Sequence, residues 1–227
     1  RALALLDEVI KAAPALREAA LARAELSLRR GDHTSAAAIL EPMVRDNPDL
    51  PAARALLAAA LWGQGRPDEA VALCLELERA QPGLPQAPYW LGIILASQGK
   101  IGDARAALAR ALTLAPGDHA VVERLVELEL AAKRPDSARR LLEVELERTP
   151  PRLEPALLLA RVNALSGRPA AADEVLSSAT RQHPNSPVAH YALALLRHTQ
   201  GRKNDALPPA RRTLELQPRS VAAALLV

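Results

Sequence analysis

Seven prolines recur at a single spacing of 34 residues: Pro14, Pro48, Pro82, Pro116, Pro150, Pro184 and Pro218. Seven alanines keep the same interval, Ala2, Ala36, Ala70, Ala104, Ala138, Ala172 and Ala206, and so do Gly31, Gly65, Gly99, Gly167 and Gly201. A fixed period of this length marks a repeat architecture, in which each repeat buries its apolar face only against its neighbours. It divides the 227 residues into six full repeats, 17–50, 51–84, 85–118, 119–152, 153–186 and 187–220, with partial repeats over 1–16 and 221–227. The spacing predicts one array over 1–227 in place of a domain wrapped around a single core.

Each repeat divides at its glycine into two apolar-periodic segments. In 85–118 the first carries Ala87, Leu91, Ile94 and Leu95, and the second Ala104, Leu108, Ala111 and Leu112, both at helical spacing. Gly99 supplies the turn between them, and Asp103 suits the first turn of the second helix. The closing Pro ends that helix. Four aromatic residues, Trp62, Tyr89, Trp90 and Tyr191, and no Phe are present, against 48 Ala and 41 Leu. The core is therefore aliphatic and made by close helix contacts, with the Ala at position 20 of each repeat set where two backbones approach. The expected fold is all-α, antiparallel helix pairs stacked into a one-dimensional array. Three local departures are expected. Pro42, and Pro208 with Pro209, fall inside second helices, where they remove hydrogen bonds and kink the rod. Lys133 replaces the turn glycine of the fourth repeat and predicts a different turn there.

On these residues the chain resembles the tetratricopeptide repeat family, most fully in Leu91-Gly92, Gln98-Gly99, Ala104, Leu108, Ala111-Leu112 and Pro116. Comparable sets are Leu57-Ala58, Gln64-Gly65, Ala70, Cys74 and Pro82, and Leu159-Ala160, Gly167, Ala172, Leu176, Ala179 and Pro184. The chain departs from the family at its first-helix aromatic positions. Ala20, Arg54, Pro88, Val122, Ala156 and His190 stand for the Trp, and Ser27, Leu61, Leu95, Glu129, Asn163 and Arg197 for the Tyr.

The resemblance implies an all-α, right-handed superhelical solenoid of antiparallel helix pairs, with a concave groove lined by the first helices that binds a protein or peptide segment. Carried over position by position, the groove receives all four aromatic residues. Its candidate binding residues are Trp62, Tyr89, Trp90, Ile93, Glu123, Glu127, Arg161 and Tyr191. Rigid amphipathic rings are frequent anchors of recognition. The competing reading is that a Trp here fills the gap between adjacent first helices. The Lys and Asn pattern with which some relatives clamp a terminal carboxylate is absent, since positions 5 and 9 of the repeats hold Leu21/Glu25, Ala55/Ala59, Tyr89/Ile93, Glu123/Glu127, Leu157/Arg161 and Tyr191/Leu195.

No catalytic constellation is legible, and neither a cofactor nor a metal is expected. His190 and His198 are eight residues apart on one helix, a rise of about 12 Å, too long for one metal ion. Glu127/Glu129 and Glu143/Glu145/Glu147, near Arg139, Arg140 and Arg148, read as solvated, salt-bridging faces. Cys74 stands where other repeats have Leu and reads as a small buried apolar residue. The net charge of +3 is weak, but residues 181–227 hold seven basic against two acidic groups, a C-terminal patch expected to give no more than weak polyanion or RNA binding.

The reading is a non-catalytic interaction scaffold within a larger protein. Its Ala-, Leu- and Arg-rich style resembles bacterial members of the family, which implies a role in envelope or exopolysaccharide assembly. The alternative is the substrate-presenting arm of a glycosyl- or sulfotransferase whose catalytic domain lies elsewhere. No membrane-inserted segment is expected. The chain starts at Arg1 and reads as an internal fragment, with bacterial cytoplasm and periplasm both open.

Overall fold

The computed structural model describes residues 17–148 and 152–227. The partial repeat expected over 1–16, with Ala2 and Pro14, and Pro150 lie outside the described residues. Thirteen helices and no strand occur among those described. In chain order they are α1 (Arg17–Arg29), α2 (His33–Asp46), α3 (Pro51–Gly63), α4 (Pro67–Ala80), α5 (Gln86–Ser97), α6 (Ile101–Leu114), α7 (His119–Ala131), α8 (Pro135–Leu146), α9 (Leu153–Leu165), α10 (Pro169–Gln182), α11 (Pro187–Thr199), α12 (Lys203–Leu216) and the short α13 (Val221–Ala224). The described residues fall into two compact units, divided between Val121 and Val122.

The recurring prolines explain where the second helices end. A residue before proline is pushed out of the α region. Asn47, Gln81, Ala115, His183 and Gln217 all leave it, with φ between −124° and −140° and ψ between 64° and 80°. Prolines also start helices: Pro51, Pro67, Pro135, Pro169 and Pro187 occupy first-turn positions, where a missing N–H costs nothing. Side-chain caps do the same work elsewhere. Asp32 accepts from the Ser35 amide, Ser186 from Ala189 and Ser220 from Ala223. Pro42, Pro208 and Pro209 do not end their helices, because α2 and α12 continue through them.

The turn inside each repeat is one motif used six times. After α3 the Gly65 amide donates to the Trp62 carbonyl and the Arg66 amide to that of Leu61, and Gly65 sits at φ 77°. This paired closure needs a left-handed residue, which glycine adopts without strain. The expectation of a different turn at Lys133 is corrected by the structure. Lys133 takes φ 57°, donates to Leu130, and is followed by Arg134 donating to Glu129. The hydrogen bonds impose the conformation and the lysine carries its cost.

In the first unit α3 and α5 each pack on their own second helix and on the second helix of the preceding repeat, and α1 packs on α2. First helices also meet one another, α1 with α3 and α3 with α5; in the second unit α9 meets α11. Neighbouring second helices are spanned by long side chains, as where Arg110 on α6 grips Glu78 on α4 at 2.7 and 3.1 Å. The first helices are thus the crowded, inner layer of each stack. Between the layers Ala36, Ala70, Ala104, Ala138, Ala172 and Ala206 are completely buried. Gly92 shows how tight this contact is: a Cβ there would lie 2.5 Å from Leu108 Cγ and 3.1 Å from the Ala104 carbonyl. Cys74 is buried as expected, and burial, with Glu78 nearby, pushes its thiol up to about 12.

Two acidic residues correct the reading of solvated faces. Glu129 is 5% exposed and Glu145 2%. They occupy inward-facing positions that hold Leu61 and Leu95, and Leu77, in other repeats. Each carboxylate is paired with arginine: Arg134 lies 3.0 Å from Glu129, and Arg148 and Arg152 lie 2.8 and 3.5 Å from Glu145. A buried charge without such partners is prohibitively costly.

Candidate functional site

Of the eight candidate residues, the first unit brings together those on α3 and α5. Trp62 and Trp90 meet with ring centroids 6.5 Å apart and planes at 48°, and Tyr89 meets Trp90 edge-on at 5.5 Å. Ile93 lies one turn beyond Tyr89 on the same helix, and all four side chains are half-buried. Trp62 donates its indole Nε1–H to Ser97 Oγ at 3.0 Å, and Ser97 donates in turn to the Ile94 carbonyl at 2.7 Å. Trp90 packs on the buried cluster of Ala55, Leu77 and Ala87, beside Leu84. The rings fill part of the space between first helices and leave part of their surface exposed.

Trp90 also separates two open clefts, with Gln86 lining both. The first, about 310 Å³, lies among α1, α3 and α5 and includes Glu25, Pro51, Ala52, Ala55, Leu56 and Leu84. The second, about 200 Å³, is lined by Pro85, Tyr89, Asp118, Ala120 and Val121. Leu84 and Asp118 belong to inter-repeat connections, and first-helix positions alone do not point to them. A signal existed in the sequence: Leu50-Pro51 and Leu84-Pro85 place leucine where Asp118, Ser186 and Ser220 stand in later repeats. Asp118 uses Oδ1 to cap α7, accepting from the Ala120 and Val121 amides at 2.9 and 3.3 Å.

The remaining four candidates belong to the second unit. Glu127 is exposed and pairs with Arg124 at 2.6 Å, Glu123 is half-buried, Arg161 is exposed and Tyr191 is half-buried. Three of the seven basic residues over 181–227 are held in ion pairs that the structure shows. Arg197 holds Asp173 through two hydrogen bonds of 2.8 and 3.0 Å, Arg202 reaches Asp173 and Asp205 at 2.9 Å each, and Arg212 reaches Glu215 at 2.8 Å. Among the described residues no group of three or more His, Cys, Asp or Glu is placed to hold a metal ion. Among them, too, no helix is long and apolar enough to cross a membrane.

Stacked helix pairs closed by one repeated turn define a helical repeat protein whose inner face is made by first helices. Family profiles described as tetratricopeptide repeat match residues 27–92 and 95–162, and 1–51 and 157–224. The chain belongs to the tetratricopeptide repeat family. No curated protein sequence matches it. Among solved structures it is similar to Pseudomonas aeruginosa PilF, at 19% identity and TM-score 0.61, covering 92% of this chain and 95% of that one. It is also similar to YrrB, described as a TPR protein with an unusual peptide-binding site, at 16% identity and TM-score 0.51 over 82% of this chain and 96% of YrrB. A third likeness is to a chain of the APC/C hetero-tetramer Cut9–Hcn1, at 17% identity and TM-score 0.60. There 99% of this chain covers 45% of the other. Likenesses at this identity establish the fold.

Proposed function

We propose that the chain is a non-catalytic scaffold that holds a protein or peptide segment against the face made by its first helices. One observation carries this reading. In a chain with four aromatic residues, three converge on α3 and α5, each half-buried, with open clefts on both sides of Trp90. Rings held in place by packing lose little freedom when a ligand arrives, which is how preformed anchors gain affinity. The peptide-binding site in the description of YrrB supports the same use of the fold. The Ala-, Leu- and Arg-rich style supports a bacterial setting, with envelope or exopolysaccharide assembly as the process served.

The test is selection of a phage-displayed dodecapeptide library on the wild-type chain, followed by titration of the recovered peptides against Trp90→Ala and Trp62→Ala. Loss of an anchoring ring should weaken binding by about 2 kcal/mol or more, roughly thirty-fold. Circular dichroism of each variant checks that the helices persist. Selected peptides that bind both variants as tightly as wild type would move the binding surface away from α3 and α5.

A further inference from the structure

The two clefts beside Trp90 differ in what they can hold. The floor of the first is aliphatic, made by Ala52, Ala55, Leu56 and Leu84. The second is lined by Tyr89 and Trp90 together with Asp118. Among the described residues no lysine or arginine lines either cleft, whereas each has one carboxylate, Glu25 in the first and Asp118 in the second. Glu25 is bridged at 2.7 Å by Arg29, an exposed pair within α1, so the first cleft offers little net charge. Asp118 spends Oδ1 on the cap of α7 and brings its negative charge to a pocket walled by two aromatic rings. Ring faces and a carboxylate are the two groups that attract a cationic side chain.

Resting on the peptide-binding reading, we propose that the occupant is an extended segment with an aliphatic residue in the first cleft and a lysine or arginine in the second. The spacing follows from the helices. Trp90 stands between the clefts, and packed helices lie about 8–10 Å apart. An extended chain advances about 3.3 Å per residue, so the two side chains are separated by about three positions. Electrostatic complementarity then sets direction and choice of partner, while the aliphatic residue and the tryptophans hold the segment. A segment ending in a free carboxylate, or carrying acidic residues at the second position, meets Asp118 and is disfavoured.

The dodecapeptide selection described above tests this through the composition of the recovered peptides. The expected result is enrichment of Leu, Ile, Val or Met with Lys or Arg about three positions away. For a recovered peptide, replacing the basic residue by Gln should weaken binding about tenfold, and raising salt from 50 to 300 mM should weaken it further. Asp118→Asn keeps a capping side chain and should weaken the basic peptide about threefold to fivefold, with no effect on its Gln variant. Peptides that require Trp90 but are neutral or acidic at the second position overturn this inference and leave the scaffold reading standing. Peptides indifferent to Trp90→Ala overturn this inference and move the binding surface away from α3 and α5, and no enrichment at all removes both readings.

Discussion

The Trp62 indole is held from two directions: its ring meets Trp90 at 6.5 Å, and its Nε1–H donates to Ser97 Oγ at 3.0 Å. Both contacts cross from α3 to α5, so the ring at the heart of the candidate surface is also a tie between consecutive repeats. Trp62→Phe keeps a ring at the position and deletes the donor. A net hydrogen bond contributes about 0.5–1.5 kcal/mol, and the partial exposure of both groups places this one near the lower end. Urea denaturation of Trp62→Phe, Ser97→Ala and the double variant should show a coupling of about 0.5 kcal/mol. Strictly additive losses would mean that the bond contributes nothing to the stacking of repeats.

Gly92 supplies a sharper test of the inter-layer contact. Alanine is the better helix former by about 1 kcal/mol, so propensity alone predicts that Gly92→Ala stabilises α5. A Cβ would lie 2.5 Å from Leu108 Cγ and 3.1 Å from the Ala104 carbonyl, and the backbone atom cannot rotate away. Overpacking of this kind costs about 1–3 kcal/mol. The expected outcome is a lower denaturation midpoint for Gly92→Ala, and a lower one again for Ala104→Leu. A raised midpoint for Gly92→Ala would show that the two helices part easily.

These two positions also show what was legible in the sequence. Ala104 recurs at the 34-residue period, and that spacing predicted a close approach of two backbones there, whereas Gly92, across the contact, does not recur and carried no such expectation. The aromatic cluster was legible through the family resemblance, which assigns a face to each position within the repeat. Glu145 was not. Its charge argued for solvent, while its position, shared with the buried Leu77, argued for the core, and position decided because Arg148 and Arg152 reach it. The clefts were legible only in part, because Leu84 and Asp118 lie in connections whose course depends on how repeats stack.

Lys133 carries a cost that the other five turns avoid. At φ 57° it closes the same pair of hydrogen bonds as the glycines, and a residue with a Cβ pays about 1–2 kcal/mol in that region. Glycine gives part of this back through the greater freedom of its unfolded chain. Lys133→Gly should therefore stabilise the protein by about 0.5–1 kcal/mol, read as a raised midpoint at an unchanged slope. Destabilisation would mean that the lysine side chain makes a contact outweighing the strain.

Asp173 ties the last two full repeats together and should govern stability in acid. Its carboxylate accepts two hydrogen bonds from Arg197, which, together with the charges of Arg197 and Arg202 and the Ser177 hydroxyl, hold its pKa below the ordinary carboxylate value of 3.8. A carboxyl group depressed in the folded state stabilises it fully above its unfolded pKa, and the contribution disappears as pH falls through the lower, folded value. Wild-type stability should accordingly decline below about pH 4 more steeply than that of Asp173→Asn. At pH 7 the variant should be less stable by about 1–2 kcal/mol, because Arg197 loses a charge-assisted partner. The same change frees Arg197 and Arg202 from Asp173, and binding to a single-stranded RNA oligonucleotide at 50 mM salt should rise relative to wild type. Equal RNA binding, together with parallel acid profiles for the two proteins, would mean that neither arginine depends on Asp173 in solution.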